Sequence, residues 1–509
     1  MDNFDISIPY TDVPPITRCA VCWNVPLDNS YTDTLTFSNE WDQLKYFESK
    51  IKFNYTELSP ITLGQPIRLP IPADALFDCN YLIIQNGNTS VKHLFAFITQ
   101  IEYVNLNCCL VSFELDVMQT WYFNMDIKSC YVEREHVNSD KIGENTIDEG
   151  IDIGDYIDYQ MVRTGLTSNK AVLVSQVSNQ VQGELTAGIF SGLKQQMFKV
   201  ENNNANPISD LINTLVNEGK EDEIISIQMI PADFYTKRGD KTGKRVSYEV
   251  VKDNQTLDGY TPRNNKLKTY PYVFLAVNNS QGQENIYRYE YFYKEDGKCT
   301  FEILGATTGD NIEIVLSPTY YNYNPNSIDS MTLSEFPMCA WSGDAFKAYL
   351  AQNSSALLFS GMSSFANLAI SGATGNIGGA AGAAGNLATM GQRLKYESQS
   401  GKTLHGSQGS NTLYSMDRMD FYFYKKSIKS DYAKMIDDYF TRFGYKVNRL
   451  KRPNITGRKS FNYVKTAECT IKGTIPFGDI AKIKSIFNTG ITFWHGDYVG
   501  DYSRDNSII

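Results

Sequence analysis

Residues 93–123 read HLFAFITQIEYVNLNCCLVSFELDVMQTWYF. Phe95, Phe97, Thr99, Ile101 and Tyr103 fall on every second position. After Leu106 the alternation resumes with Val111, Phe113 and Leu115. A period of two places successive side chains on opposite faces of a pleated strand. The NLNCC segment between the two runs has the composition of a tight turn, so the stretch predicts two long antiparallel strands. Shorter runs before it read the same way: DTLTFSNEW, PIRLPIPADAL and NYLIIQN. An array of such strands predicts a β-barrel or a sandwich over the first 155 residues.

The rest of the chain continues the pattern with a few helices. AVLVSQVSNQ, EIISIQMIP, KTYPYVFLAVNN, NIYRYEYFYKED and CTFEILGATTGDNIEIVLSP predict a second β-rich group over 156–325, with one helix at NPISDLINTLVNEG capped by Ser209 and stopped by Gly219. A connector follows from 326 to about 410, with a short helical piece at SGDAFKAYLAQNS and a polar, Gly-rich link after residue 394. From 411 to 509 the chain regains regular texture. SDYAKMIDDYFTRFGYKV predicts a helix with Tyr432, Met435, Ile436, Tyr439 and Phe440 on one face and Gly444 at its C-cap. NYVKTAECTIKGTI predicts a strand, FGDIAKIKSIFNTG a helix ended by Gly490, and ITFWHGD a last strand. The 509 residues thus predict a mainly β, multidomain protein with some α. The 33 tyrosines and 27 phenylalanines favour strands over helices.

Reactive chemistry is sparse. His93, His136, His405 and His495 are isolated, and neither a metalloprotease helix, a nucleophile elbow nor a phosphate loop occurs. Cys19 and Cys22 form a CxxC without a second ligand pair, so packing is the expected role, as for Cys108 and Cys109. Nine cysteines without framework spacing, behind an opening MDNFDISIPYTDVPP that lacks a basic and an apolar region, predict synthesis in a reducing cytoplasm. YVEREHVNSDKIGENTIDEG is rich in carboxylates, and its alternating Glu133, Arg134 and Glu135 predict a solvated or interface face of a strand. No enzyme, metal or cofactor is predicted. A net charge of −10 argues against tight duplex binding, which needs clustered Lys and Arg. The one basic run is RFGYKVNRLKRPNITGRKSFNYVK. Its Arg449, Lys451, Arg452, Arg458 and Lys459 are candidates for contacts with a neighbouring subunit or with the lumen of an assembly.

One tract has a different character. From Ala348 to Gln392, 45 residues, there is no Asp, Glu, Lys, Arg or His. Ser363, Ser364, Asn367, Ser371, Thr374 and Asn376 interrupt it, so a conventional membrane span is not expected. A solvated linker would not carry Leu357, Leu358, Phe359, Met362, Phe365, Leu368, Ile370, Ile377, Leu387 and Met390 at this density. Two readings remain. One is a buried helix, with Leu358, Met362, Phe365 and Ala369 on one face. The other is a hairpin that hides inside an oligomer and can meet lipid. Its arms, Ala356–Ile370 and Ala380–Leu394, would each reach roughly 22 Å. Gly372, Gly375, Gly378, Gly379 and Gly382 lie at or near its turn, with spacings that permit close helix contact.

Several long strings resemble one family, the tail knob proteins of small short-tailed phages of Gram-positive bacteria. They are DVMQTWYFNM (116–125), YVEREHV with NTIDEG (131–150), YPYVFLAV (270–277), RFGYKVNRLKRPN with RKSFNYVKTAECTIKG (442–473) and FNTGITFWH (487–495). Residues 155–265 match weakly. The resemblance implies a structural virion protein at the distal end of the tail. It implies a homo-hexamer with β-barrel-type tube domains at 1–155 and 411–509, an inserted β-rich knob domain and a long hydrophobic loop. It also implies other tail and collar proteins as partners, phage double-stranded DNA passing through the lumen without sequence specificity, and host membrane lipid. In the family the loop is thought to leave the lumen and perforate the cytoplasmic membrane, and the neutral tract, about 354–392, occupies the matching place. The alternative is a tail-tip structural or receptor-contact protein whose tract is only a plug or seal.

Overall fold

The computed structural model describes residues 17–86, 92–166, 170–340 with shorter omissions inside that span, and 413–509 apart from 415. The neutral tract and the helical piece before it lie outside the described residues, as does most of NPISDLINTLVNEG. Two compact units emerge. The first gathers Met1–Asp152, Arg263–Lys266 and Met435–Ile509; the second gathers Ile153–Pro262 and Leu267–Lys434.

In the first unit an antiparallel sheet runs in the order 51–58, 17–23, 79–85, 94–105, 108–115, 67–69. The two strands of the opening stretch turn at Leu106 and Asn107, with Asn105 opposite Cys108. Both faces of this sheet are covered. Ala20, Cys22, Tyr81, Ile83, Phe95 and Phe97 enter one core, and Cys19, Val21, Leu82, Ile84, Ala96 and Val111 enter another. Double burial explains the unbroken apolar runs CAVC and YLII, which strict alternation would not produce. It also separates Cys19 from Cys22. The two thiols go to different cores, and burial pushes both up to about 12. The CxxC is packing.

A second sheet joins the ends of the chain, in the order 33–35, 491–494, 461–467, 130–135, 445–451. Phe461, Val464, Phe493 and Trp494 from this sheet share a core with Phe47, Met118, Ile483 and Phe487 from three helices. Two of those helices depart from the sequence reading. DTLTFSNEW is a strand only over Asp33–Leu35. Asn39 then caps a helix, Glu40–Glu48, its Oδ1 accepting from the Asp42 N–H at 2.9 Å. DVMQTWYF likewise breaks into a helix, Val117–Trp121, at Asp116, which accepts from the Met118 and Gln119 N–H groups at 3.0 and 3.1 Å. NYVKTAECTIKGTI is two strands, Phe461–Ala467 and Ile471–Gly473, parted at Glu468, whose φ is 57°.

The second unit is built from three sheets around one core that includes Leu173, Ile230, Leu275, Phe301, Ile314 and Phe423. The strand Tyr422–Ile428 pairs with Tyr156–Arg163 and with Val273–Asn278, so it belongs here and not with the C-terminal segment that follows. The helix Ser430–Phe443 carries the chain out of this unit. Ala433, Ile436, Asp437 and Phe440 are its buried positions, whereas Met435 is exposed. Asp437 replaces the expected apolar neighbour because its carboxylate accepts the backbone N–H groups of Arg263 and Asn264, at 2.7 and 3.0 Å. That contact fixes the four-residue excursion Arg263–Lys266 in the first unit.

Candidate functional site

The strand Cys130–Glu135 lies between Phe461–Ala467 and Tyr445–Lys451, and register shifts on both sides interrupt its alternation. Glu133 is half-exposed and pairs with Lys465 at 3.1 Å. Arg134, Glu135 and His136, in succession, are buried. The shifts lie at Glu133; Arg134 and Glu135 then pair in regular succession with Lys465 and Val464, so they face opposite sides of the sheet, and both sides are covered there. The predicted solvated face therefore holds at Glu133 and fails at its neighbours.

Each buried charge finds partners inside the chain. The Arg134 guanidinium donates to the Gly444 carbonyl at 2.8 Å and to Glu149, and sits 4.8 Å over the Tyr439 ring. Glu149 also accepts from Lys266 and from the Lys446 N–H at 3.0 Å. Lys266 donates to the Ile147 carbonyl at 2.9 Å; burial pushes its pKa down, against the pull of Glu149. Glu135 accepts from Lys451 and from the Asn454 N–H at 2.8 Å. Arg458 grips Asp140 with two nitrogens, each at 2.7 Å, and also donates to the Val137 carbonyl. Such bidentate pairs are the strong form of the interaction.

The basic run thus divides. Lys451 and Arg458 are committed to Glu135 and Asp140, and Arg458 is buried. Arg449, Arg452 and Lys459 are exposed. Arg452 reaches Asp126 at 3.4 Å and Lys459 reaches Asp505 at 3.0 Å, while Arg449 makes no ion pair among the described residues. Arg449 and the exposed Leu450 lie on Tyr445–Lys451, the edge strand of its sheet. A cleft of about 350 Å³ opens beside this region, lined by residues that include His136, Asp140, Asn264, Tyr445 and Arg458. Its lining charges Asp140 and Arg458 are satisfied by each other. Among the described residues no group of His, Cys, Asp and Glu is placed to hold a metal, and no helix is long and apolar enough to cross a membrane.

His136 is held as a neutral ring. Its Nδ1 accepts from the Tyr463 N–H at 2.7 Å, which leaves Nε2 to donate to the Thr441 carbonyl at 3.1 Å. Burial, with Arg458 close by, lowers its pKa to about 3. The unfolded chain takes up this proton near pH 6.5, well before the folded one. The contribution of His136 to stability is therefore full above pH 6.5 and is lost as pH falls from there towards 3, by up to about 1.4 kcal/mol per pH unit. A His136→Gln variant keeps an acceptor and a donor without the titration. Urea unfolding at pH 7, 6, 5 and 4 is expected to give a shallower acid decline for the variant than for the natural chain; parallel declines would contradict this assignment.

The fold is a set of mainly antiparallel sheets in which the buried charges Arg134, Glu135, Glu149 and Arg458 pair within the chain. Comparison with known proteins places the chain among the tail proteins of tailed phages: residues 15–128 match the family of caudoviral major tail protein N-termini. Residues 233–507, more than half the sequence, match the C-terminal domain of the tail knob protein gp9 of Bacillus phage phi29, and the chain belongs to that tail knob family. The gp9 tail knob proteins of Bacillus phages PZA and phi29 are each 26% identical to it, over 97% of this chain and 98% of theirs. That of Bacillus phage B103 is 26% identical over 95% of this chain and 97% of its own. The alignment with the PZA protein spans 599 positions against 509 residues here, so the difference in length lies in insertions. The structure of the bacteriophage C1 tail knob protein, gp12, superposes with a TM-score of 0.63 at 16% identity, covering 97% of this chain and all of that one. The resemblance carried by the long sequence strings is borne out, as is the mainly β, multidomain class. The protein is a structural component of the virion, at the distal end of the tail.

Proposed function

We propose that six copies of this chain close into a hollow tube at the tail tip, that the genome passes through it, and that the neutral tract leaves the lumen to open a pore in the host cytoplasmic membrane. The observation that carries this reading is the tract itself: 45 consecutive residues without a charge, in a protein that stands at the distal end of a tail. Leu357, Leu358, Phe359, Met362, Phe365, Leu368, Ile370, Ile377, Leu387 and Met390 would supply the lipid-facing surface, and the glycines from Gly372 to Gly382 the turn. At about 25 cal/mol per Å², a few hundred Å² of apolar surface per copy contributes several kcal/mol, so six copies together bind a bilayer that one copy would not hold. A net charge of −10 suits a channel through which DNA slides without sticking. Arg449, Arg452 and Lys459 are the exposed cations for contacts with the next subunit, the lumen or neighbouring tail and collar proteins. Lys451 and Arg458 would serve assembly only by shaping the segment that presents them.

Dye release from liposomes tests the proposal, at neutral and mildly acidic pH, with the full chain and with a chain lacking Ser354–Gln392. Sedimentation reports on the assembly of both. The expected result is leakage with the full chain alone, while both form the same oligomer. If both are silent and the deleted chain still assembles, the tract is a plug or seal and another protein performs the membrane step.

A further inference from the structure

In the second unit one hairpin ends in a turn whose sequence works against its own backbone. Asn311–Tyr321 returns as Asn324–Asn326, with Tyr321 opposite Asn324. Asn322 and Tyr323 make the turn, at φ of 51° and 58°. Two left-handed residues in succession form the turn that matches the twist of a hairpin, and Asn followed by Gly suits it best. Asn322 conforms. Tyr323 puts a large side chain where the backbone favours glycine, and Tyr320, just before, is left-handed as well, at 54°. The core gains nothing from this strain, because Tyr323 is 87% exposed.

The rings are nonetheless ordered. Tyr323 lies nearly parallel to Tyr293, at 9° and 5.7 Å between centroids. Tyr320 meets Tyr293 edge-on, at 83° and 5.8 Å. Two backbone bonds fix the register, from the Tyr293 N–H to the Tyr320 carbonyl at 3.1 Å and from the Asn322 N–H to the Tyr291 carbonyl at 2.9 Å. Tyr293 and Tyr320 are 37% and 38% exposed. Asn322 and Asn324, the sequence neighbours of Tyr323, are both exposed. Backbone strain at a residue as exposed as Tyr323 points to function and not to packing of the core.

We propose that Tyr293, Tyr320 and Tyr323 form a platform that binds the sugar rings of a hexose-based glycan. A pyranose presents C–H groups on one face and hydroxyls around its rim. The C–H face packs on an aromatic ring, and the rim takes hydrogen bonds from phenols and amides, the two kinds of group assembled here. An apolar protein partner would need a desolvated pocket for its anchor residues, whereas these rings stand at an exposed hairpin tip. A nucleobase also stacks on tyrosine, but single-strand binders add a basic groove, whereas the cation that meets these rings among the described residues is the single Lys294, 4.9 Å over the Tyr320 ring. The protein stands at the distal end of the tail, where an exposed platform is free to meet material outside the virion. The proposal does not depend on pore formation.

The test uses the full chain with chitotetraose, maltotetraose and mannotetraose, followed by saturation-transfer NMR and calorimetry, and with Tyr323→Gly and Tyr293→Ala variants. At least one saccharide is expected to bind, and Tyr323→Gly to weaken it tenfold or more. The same variant is expected to leave the melting temperature unchanged or to raise it, since it restores the favoured turn pair. Three results would each overturn the proposal: no binding of any of the three, equal binding by Tyr323→Gly, or a marked fall in its melting temperature. A change in sedimentation without saccharide binding would instead make the rings a contact between copies.

Discussion

Replacing Glu149 by glutamine is expected to destabilise the first unit by about 3–5 kcal/mol, the range for removing one partner of a buried ion pair. The Glu149 side chain is 1% exposed and both its oxygens are engaged, by Arg134 on one side and by Lys266 and the Lys446 N–H on the other. Glutamine keeps the shape but removes the charge, and leaves the side chains of Lys266 and Arg134, 3% and 11% exposed, without their counterion. Its new amide hydrogens would also face donors. The variant with the same chemistry at Glu133 gives the contrast. That residue shares a half-exposed pair with Lys465, and such pairs contribute at most about 1 kcal/mol. Urea unfolding of both variants beside the natural chain decides the matter: a large loss for Glu149→Gln and a small one for Glu133→Gln. Equal losses would mean that burial does not set the difference.

Much of the fold can be read in the sequence because its pairings are local. The hairpin 94–115 shows a period of two and a turn, and both are properties of adjacent residues. The helices Ser430–Phe443 and Phe477–Thr489 end at the glycines that predict their ends. Short helices are harder. Glu40–Glu48 and Val117–Trp121 are too brief to display a helical period against a β-rich background, and only Asn39 and Asp116, both good N-caps, betray them. The partner of a strand is harder still. Tyr422–Ile428 pairs with Tyr156–Arg163 more than 250 residues away, and no local feature of either strand specifies the other. That is why a boundary drawn at residue 411 falls inside the second unit.

The candidate site shows the same limit in electrostatic form. A run such as NRLKRPNITGRK announces positive charge but not what neutralises it. Asp140 meets Arg458 across 318 residues of sequence and Glu135 meets Lys451 across 316, so two of the five predicted contact residues are structural members of the fold. Nor does composition reveal that both faces of the strand Cys130–Glu135 are covered at its end, which is what buries Arg134 and Glu135 together. The tyrosine platform had a signal of its own. YYNYN places aromatic residues where a hairpin turn calls for Asn and Gly, a mismatch that is informative once the turn is located.

The second large effect is expected at Gly444. Its φ is +63°, and it ends the helix Ser430–Phe443 with its N–H donating to the Phe440 carbonyl at 2.9 Å. Left-handed backbone alone costs an L-residue roughly 1–2 kcal/mol. Here a Cβ would also run into the Glu135 carbonyl and the His136 nitrogen, which are backbone atoms of a strand fixed on both sides and cannot rotate away. Moving that strand would disturb the Arg134 bond to the Gly444 carbonyl and the seat of His136 together. Gly444→Ala is therefore expected to cost about 3–5 kcal/mol, in the exceptional range for a single substitution. Gly150 supplies the control, with a similar φ of +66° and no atom within 4 Å of the place a methyl group would take. Gly150→Ala carries the conformational cost alone, about 1–2 kcal/mol. Thermal and urea unfolding of the two variants separates the terms. If Gly444→Ala loses no more than Gly150→Ala, the strand 130–135 yields to the methyl group, and the close packing of helix end against strand does not hold the first unit together.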